Sequence, residues 1–134
     1  MRNFHLPGRS PAFATNGMCA TSHPLAAQTA LEILKSGGNA VDAAISAAVL
    51  LGFCEPQMTG LGGDCFVLLS PPGTEDVIAL NGSGRAPAAL NPDRLRASGH
   101  SIMPLHDAVS VTTPGAIDAF CRLAKDWGRL SLAE

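Results

Sequence analysis

Arg85 is the residue in this sequence best suited to bind a substrate. It is the lone charge in a loop rich in glycine, serine and proline, residues 81–89, which follows a predicted strand. A guanidinium in such a loop can hold a carboxylate through two parallel hydrogen bonds. The alternative is a structural arginine whose guanidinium binds backbone carbonyl groups. Both interpretations stay open at the level of the sequence.

Two other side chains, His23 and Asp64, are candidates for acid–base chemistry. His23 precedes Pro24 at a predicted helix start, where capping is the commoner role. Asp64 borders a glycine-rich loop, residues 60–63, and capping of the amides of that loop is its commoner role. No serine lies in a G-x-S-x-G elbow, so a set of nucleophile, base and acid cannot be assembled.

The sequence predicts neither a metal site nor a bound cofactor. The four cysteines, at positions 19, 54, 65 and 121, are widely spaced and lack a C-x-x-C pair. We expect them to be free thiols that behave as buried small hydrophobes. The glycine loop follows a helix and precedes a strand, whereas a phosphate-binding loop has the reverse order. Nucleotide binding is therefore not expected.

Helix caps, proline and glycine divide the chain into short elements. Asn39 is placed to cap an apolar helix, in which Asp42 must be hydrogen-bonded or paired because an isolated buried charge is costly. The alanines of this helix indicate a flat neighbour, such as a sheet. The predicted elements are helices at Pro24–Ser36, Ala40–Leu51, Pro92–Ala97 and from Pro114 to about Asp126; a strand at Met18–Thr21; a hairpin of Cys65–Ser70, buried on both faces, and Val77–Asn81; a glycine loop of special conformation at 60–63; and a short β-branched run at Val109–Thr112. This mixture predicts an α+β fold.

Composition excludes several classes of protein. The 134 residues are 46% hydrophobic and 15% charged, with a net charge of −2, so the chain is neither disordered nor a nucleic-acid binder. The longest apolar stretch, residues 40–53, is shorter than the ~20 residues of a membrane span. The usual charged fraction is about 25%. The low charge predicts a piece of a larger protein, or one with a large partner.

The two ends of the chain lead to further expectations. Residues 1–17 are predicted to be an extended lead-in. Met1–Phe13 lack the apolar core of a signal peptide, which favours a cytoplasmic location; if Met1 is not the true start, the alternative is a periplasmic or secreted protein. Ser131 and Glu134 have the spacing of a capping box, which indicates the start of another helix. We therefore expect residues 1–134 to be a C-terminally truncated segment of one domain.

Three groups of residues resemble the γ-glutamyltranspeptidase family, a branch of the N-terminal-nucleophile hydrolases. The resemblance covers roughly residues 8–134. The matching stretches are Met18–Ala26 with Ile33–Ala44, then Glu55–Phe66, and finally Leu80–Pro87 with Val111–Gly115.

The resemblance implies an enzyme made as a proenzyme several times longer than this chain. Such proenzymes cleave themselves into a large and a small subunit and fold as a four-layer αββα sandwich. The nucleophile is the threonine that begins the small subunit, activated by its own α-amino group. This chain would be the first part of the large subunit, with no catalytic residue of its own, and would be inactive alone. Its partners would be the rest of the large subunit, the small subunit and a small-molecule amide substrate.

One departure from the family pattern concerns the substrate. Classical members have an R-E-x-A-P loop whose arginine grips the α-carboxylate of the γ-glutamyl group, and here the loop reads Ser83-Gly84-Arg85-Ala86-Pro87. The family's arginine falls on Ser83, so both Ser83 and Arg85 are candidate substrate-binding residues. The resemblance implies cleavage of a γ-glutamyl amide of the glutathione type and transfer to water or an amine. The alternatives are a related amidohydrolase or acylase for oxamate- or cephalosporin-type substrates, and a non-catalytic scaffold.

Overall fold

The computed structural model describes residues 11–132 and has the α+β composition predicted from the sequence. Residues 11–17 form no helix or strand. The other predictions for the ends, a lead-in over residues 1–10 and a helix beginning at Ser131–Glu134, depend on positions outside the described residues. The elements are α1 (Pro24–Lys35), α2 (Ala40–Cys54), β1 (Cys65–Leu69), β2 (Ile78–Gly82), α3 (Pro92–Ala97), a 3-10 turn (Ala108–Ser110) and α4 (Ala116–Trp127).

Local hydrogen bonds set the starts of the first two helices. The Nδ1 atom of His23 accepts a hydrogen bond from the Leu25 backbone N–H at 3.3 Å, which caps α1. At α2, Asn39 Oδ1 accepts from the N–H groups of Val41 and Asp42, while Asp42 Oδ2 accepts from the Asn39 N–H at 2.7 Å. This reciprocal capping box confirms the predicted role of Asn39.

Helix α2 lies between α1 on one side and the hairpin with α4 on the other. Its alanines fall on two faces. Ala43 and Ala47 are buried against Ala26 and Ala30 of α1, whereas Ala40, Ala44 and Ala48 line a cavity with β1, so the predicted sheet neighbour holds for the second group alone. Small side chains allow the two helices to approach closely. Val41 and Ile45 of α2 face the hairpin and α4, in a cluster with Leu123 against which Val67, Leu69, Leu80, Phe120 and Ala124 pack.

The hairpin is antiparallel and has one covered and one open face. Val67 lies opposite Leu80, and Phe66 lies opposite Asn81. Because side chains alternate along a strand, Val67 points to the core while Phe66 and Leu68 are 70% and 78% exposed. The expectation that β1 is buried on both faces is therefore wrong for the described residues.

Much apolar surface of the described residues is uncovered. Large apolar side chains such as Phe13, Phe53 and Leu105 are 93%, 84% and 86% exposed. This exposure agrees with the low charge of the sequence. None of the helices within residues 11–132 has the length and apolarity needed to cross a membrane.

Two other predictions need correction. Met18–Thr21 is not a strand. The β-branched run at Val109–Thr112 overlaps the 3-10 turn, which the Asp107 carboxylate caps by accepting from the Val109 N–H. The cysteines are free, but none is fully buried: Cys121 is exposed and the other three are half-buried.

Candidate functional site

The loop that carries Ser83 and Arg85 is joined to two other segments of the chain. We call this meeting point the Asp64 junction and define it as residues 63–64, 82–85 and 112–116. Three backbone–backbone hydrogen bonds and two bonds to the Asp64 carboxylate join these segments. It brings together parts of the second and third stretches on which the family resemblance rests.

The carboxylate of Asp64 connects all three segments of the junction. Its Oδ1 atom accepts a hydrogen bond from the Gly84 backbone N–H at 2.8 Å and another from the Thr112 hydroxyl at 3.1 Å. These partners lie 20 and 48 residues away in the sequence. The predicted capping of the neighbouring glycine loop is therefore wrong, because Asp64 binds distant groups instead.

Backbone hydrogen bonds complete the junction. The Thr113 N–H donates to the Arg85 carbonyl at 2.9 Å. The Gly63 carbonyl accepts from the N–H groups of Gly115 and Ala116 at 3.1 and 3.0 Å. The first N–H groups of a helix need partners from outside it, and Gly115 has no side chain to supply one. The glycine-rich loop thus ends by capping α4.

Close backbone approach explains two glycines of the junction. A Cβ atom on Gly84 would overlap the Thr113 carbonyl oxygen, and one on Gly115 would overlap the Gly82 carbonyl oxygen. The loop at 60–63 is different. None of its glycines has a positive φ, so the special conformation expected there is not observed. The loop is a tight turn closed by a hydrogen bond from the Gly63 N–H to the Gly60 carbonyl at 3.1 Å.

Arg85 and Ser83 are both exposed on the loop that the junction holds. Within residues 11–132, the Arg85 guanidinium makes no hydrogen bond or ion pair, so the structural-arginine alternative has no support there. The Ser83 N–H donates to Asn81 Oδ1 at 2.9 Å, and the Ser83 hydroxyl lies 3.5 Å from the Gly84 carbonyl. The Arg85 guanidinium is therefore carried by a backbone that is hydrogen-bonded at the Gly84 N–H and at the Arg85 carbonyl.

The other candidates from the sequence have structural roles. His23 caps α1, and its imidazole forms no hydrogen bond to the Asp64 junction. Cys65 pairs with Gly82 in the hairpin, and burial raises the pKa of its thiol, which makes it a poorer nucleophile at neutral pH. In the part of the chain that the structure describes, no three His, Cys, Asp or Glu side chains could hold a metal ion.

Asp42 is hydrogen-bonded, as its position in an apolar helix required. It is 7% exposed, and besides the Asn39 N–H it accepts hydrogen bonds from the N–H groups of Arg129 and Leu130 at 3.1–3.3 Å. Asn39 in turn donates from its side-chain amide to the Trp127 carbonyl at 2.7 Å. The start of α2 therefore fixes the chain that leaves α4, and no pattern in the sequence predicted these contacts.

Comparison with known proteins identifies relatives of this chain. The family model described as Gamma-glutamyltranspeptidase matches residues 26–134. The Glutathione hydrolase-like YwrD proenzyme of Bacillus subtilis (strain 168) is 41% identical over 121 residues, covering 90% of this chain and 23% of the relative. The Oxamate amidohydrolase proenzyme of Klebsiella pneumoniae is 47% identical over 73 residues, covering 54% of this chain and 14% of the relative. A cephalosporin acylase from Bacillus halodurans, whose crystal structure is known, has a TM-score of 0.78 at 42% identity, covering 95% of this chain and 25% of that chain.

These matches define first a class and then a family. The agreement in fold and sequence places the described residues among the N-terminal-nucleophile hydrolases. Within that class the chain belongs to the γ-glutamyltranspeptidase family, because the family model matches most of its length. The chain spans no more than a quarter of the length of the three relatives.

Proposed function

We propose that this chain is the N-terminal part of the large subunit of a γ-glutamyltranspeptidase-like proenzyme. Residues 1–134 would be one segment of a four-layer αββα sandwich, completed by the rest of the large subunit and by the small subunit of the same precursor. Support comes from the names of two relatives, both proenzymes, and from the small share of their length that this chain covers. The uncovered apolar face of the hairpin also fits a further layer.

The proposed reaction is the cleavage of a small-molecule amide through an acyl-enzyme. A threonine hydroxyl at the start of the small subunit attacks the amide carbonyl, and its proton passes to the α-amino group of that threonine. That group then gives the proton to the amide nitrogen as the C–N bond breaks, so that an amine leaves and an ester remains. Water or a second amine then attacks the resulting ester, which regenerates the threonine. None of these groups lies in residues 1–134, so the contribution of this chain is to bind the acyl donor.

We assign that binding to Arg85, with Ser83 beside it. The observation that carries the assignment is an exposed guanidinium, without a partner in residues 11–132, on a loop that Asp64 and Thr113 hold in place. A carboxylate on the acyl donor would supply the missing partner, in a charge-assisted pair. The γ-glutamyl group of glutathione carries an α-carboxylate, and oxamate is itself a carboxylate, so the names of two relatives fit this assignment.

The second candidate is an amidohydrolase or acylase without preference for γ-glutamyl groups. Two observations favour it: the identity to relatives named for oxamate and cephalosporin, and the position of Arg85 two residues after the place of the arginine in the classical family loop. The two candidates share the reaction and the carboxylate contact. They differ in the length of acyl group that Arg85 can reach.

The test is a comparison of acyl donors with the full-length, self-processed protein. We expect kcat/KM to be highest for a γ-glutamyl anilide, whereas higher values for oxamate or a glutaryl amide would favour the second candidate. Arg85→Ala should lower kcat/KM for carboxylate-bearing donors about 10- to 150-fold, the value of a hydrogen-bonded charge pair. Arg85→Lys should recover part of the loss because it keeps the charge but not the planar fork. Ser83→Ala is the control and should have the smaller effect; unchanged kinetics for Arg85→Ala would refute the assignment.

A further inference from the structure

The position of Arg85 depends on the backbone that carries it. Its side chain has no hydrogen-bond or ion-pair partner within residues 11–132, and it is exposed, so neither a polar contact nor burial in that part of the chain fixes the guanidinium directly. Its neighbour Gly84 has no side chain, and an added Cβ there would overlap the Thr113 carbonyl oxygen. Polar contacts to the backbone therefore decide where the loop lies.

Two such contacts flank the point where Arg85 leaves the loop. The Gly84 N–H donates to Asp64 Oδ1 at 2.8 Å, and the Arg85 carbonyl accepts from the Thr113 N–H at 2.9 Å. The second contact is between two backbone groups, so a substitution cannot remove it without changing the backbone. The first is a charge-assisted bond, which is stronger than a neutral one. Asp64 is thus the one side chain, among the described residues, that fixes this loop from another segment.

The same oxygen atom of Asp64 also receives the Thr112 hydroxyl at 3.1 Å. Thr112 precedes Thr113, so Asp64 links the arginine loop to the segment that supplies the second contact. Because Asp64 holds the Gly84 N–H next to Arg85, these bonds give it an indirect path to a bound acyl donor, through Gly84 to Arg85.

We propose that Asp64 is a positioning residue that sets the preference for carboxylate-bearing acyl donors, by holding the Gly84 N–H and the Thr112 hydroxyl on one oxygen. The proposal rests on the proposed function, in which Arg85 binds the donor carboxylate. It assigns to Asp64 neither proton transfer nor contact with the substrate.

The test measures a ratio of two donors in the full-length, self-processed protein. The donors are a γ-glutamyl anilide and the matching 4-aminobutyryl anilide, which lacks only the α-carboxylate. Asp64→Ala should lower the ratio of their kcat/KM values at least about tenfold, as expected for loss of a hydrogen bond to a charged group. Asp64→Asn keeps an acceptor oxygen in place and should lose less. A merely structural defect would lower both values together and leave the ratio unchanged.

A double-mutant cycle separates this proposal from the assignment of Arg85. If Asp64 acts through Arg85, Asp64→Ala should change the ratio little in an Arg85→Ala background. Additive losses, or an unchanged ratio in Asp64→Ala while Arg85→Ala lowers it, would overturn the role of Asp64 and leave the proposed function standing. An unchanged ratio in Arg85→Ala would overturn both.

A second variant covers the case in which Asp64→Ala fails to fold or to process itself. Thr112→Val removes one donor to the same oxygen and keeps the shape of the side chain. It should lower the donor ratio about threefold, the value of one modest hydrogen bond. A Thr112→Val enzyme with the ratio of the unmodified enzyme would contradict the proposal.

Discussion

Replacement of Gly84 by alanine should detach the arginine loop from the rest of the junction. The new Cβ would overlap the Thr113 carbonyl oxygen and would lie 2.8 Å from the Thr112 hydroxyl oxygen. The loop must then move away, which breaks the bond from the Gly84 N–H to Asp64 and the bond from the Thr113 N–H to the Arg85 carbonyl. A bond to a charged group contributes about 1.5–3 kcal/mol and a neutral bond about 0.5–1.5 kcal/mol. We expect the free energy of unfolding to fall by about 2–4 kcal/mol.

Gly62→Ala is the matched control for this prediction. Gly62 lies in the neighbouring loop, has no positive φ, and has no heavy atom within 4 Å of an added Cβ. Its replacement should change the free energy of unfolding by less than about 0.5 kcal/mol. Urea denaturation of the full-length protein, followed by fluorescence, measures both variants. Equal stability of the two alanine variants would refute the packing argument at Gly84.

Three further predictions concern other parts of the chain. Asp42→Ala leaves the N–H groups of Arg129 and Leu130 without their acceptor and should cost about 2–4 kcal/mol in urea denaturation; Asp118→Ala, at an exposed site in the first turn of α4, should cost less than about 1 kcal/mol. Burial raises the pKa of the Cys65 thiol, so its alkylation, followed by mass spectrometry, should be slower in the folded than in the urea-unfolded protein. The ratio of the unfolded to the folded alkylation rate should fall as the pH rises, since the folded thiol forms its thiolate at a higher pH than the unfolded one. A ratio that does not change with pH would mean that restricted access of the reagent alone protects Cys65. The isolated 134-residue chain should bind an apolar dye through its open hairpin face and should not turn over a γ-glutamyl anilide; turnover that survives repurification would place a nucleophile within it.

Local signals predicted most of the fold. Pro24 and Asn39 mark the starts of α1 and α2, and the glycine after α1, Gly37, has the positive φ of 102° that favours this residue at a helix end. Both strands of the hairpin begin or end within one residue of their predicted limits. These features depend on neighbours along the chain, and such neighbours are visible in the sequence.

The failed predictions depended on contacts that the sequence does not display. Met18–Thr21 has the composition of a strand, but a strand also needs a partner, and none pairs with it among residues 11–132. The alanines of α2 predicted a flat neighbour such as a sheet, but Ala43 and Ala47 pack on the small side chains of α1, while Ala40, Ala44 and Ala48 line a cavity with β1. Exposure of Phe66 follows from the alternation of a strand that has one covered face.

The candidate site was likewise predictable only in its local features, and its tertiary contacts were not. The lone charge of Arg85 in a loop could be seen directly, and Asp64 could be singled out beside its glycines. The partners of Asp64 could not be predicted, because Gly84 and Thr112 are distant in sequence and neither has a local pattern that indicates a tertiary contact. The family resemblance included both Gly84 and Thr112 in its third stretch, and this was the one sequence signal that pointed to these residues.

The central claim is that this chain binds the acyl donor while the nucleophile belongs to another part of the same precursor. Mass spectrometry of the self-processed enzyme, quenched during turnover of a γ-glutamyl donor, tests it most directly. We predict that the mass of one γ-glutamyl group is added to the N-terminal threonine of the small subunit, and that peptides from residues 1–134 are unmodified. An acyl group attached to any residue of 1–134, or a precursor that turns over the donor without self-cleavage, would contradict the account.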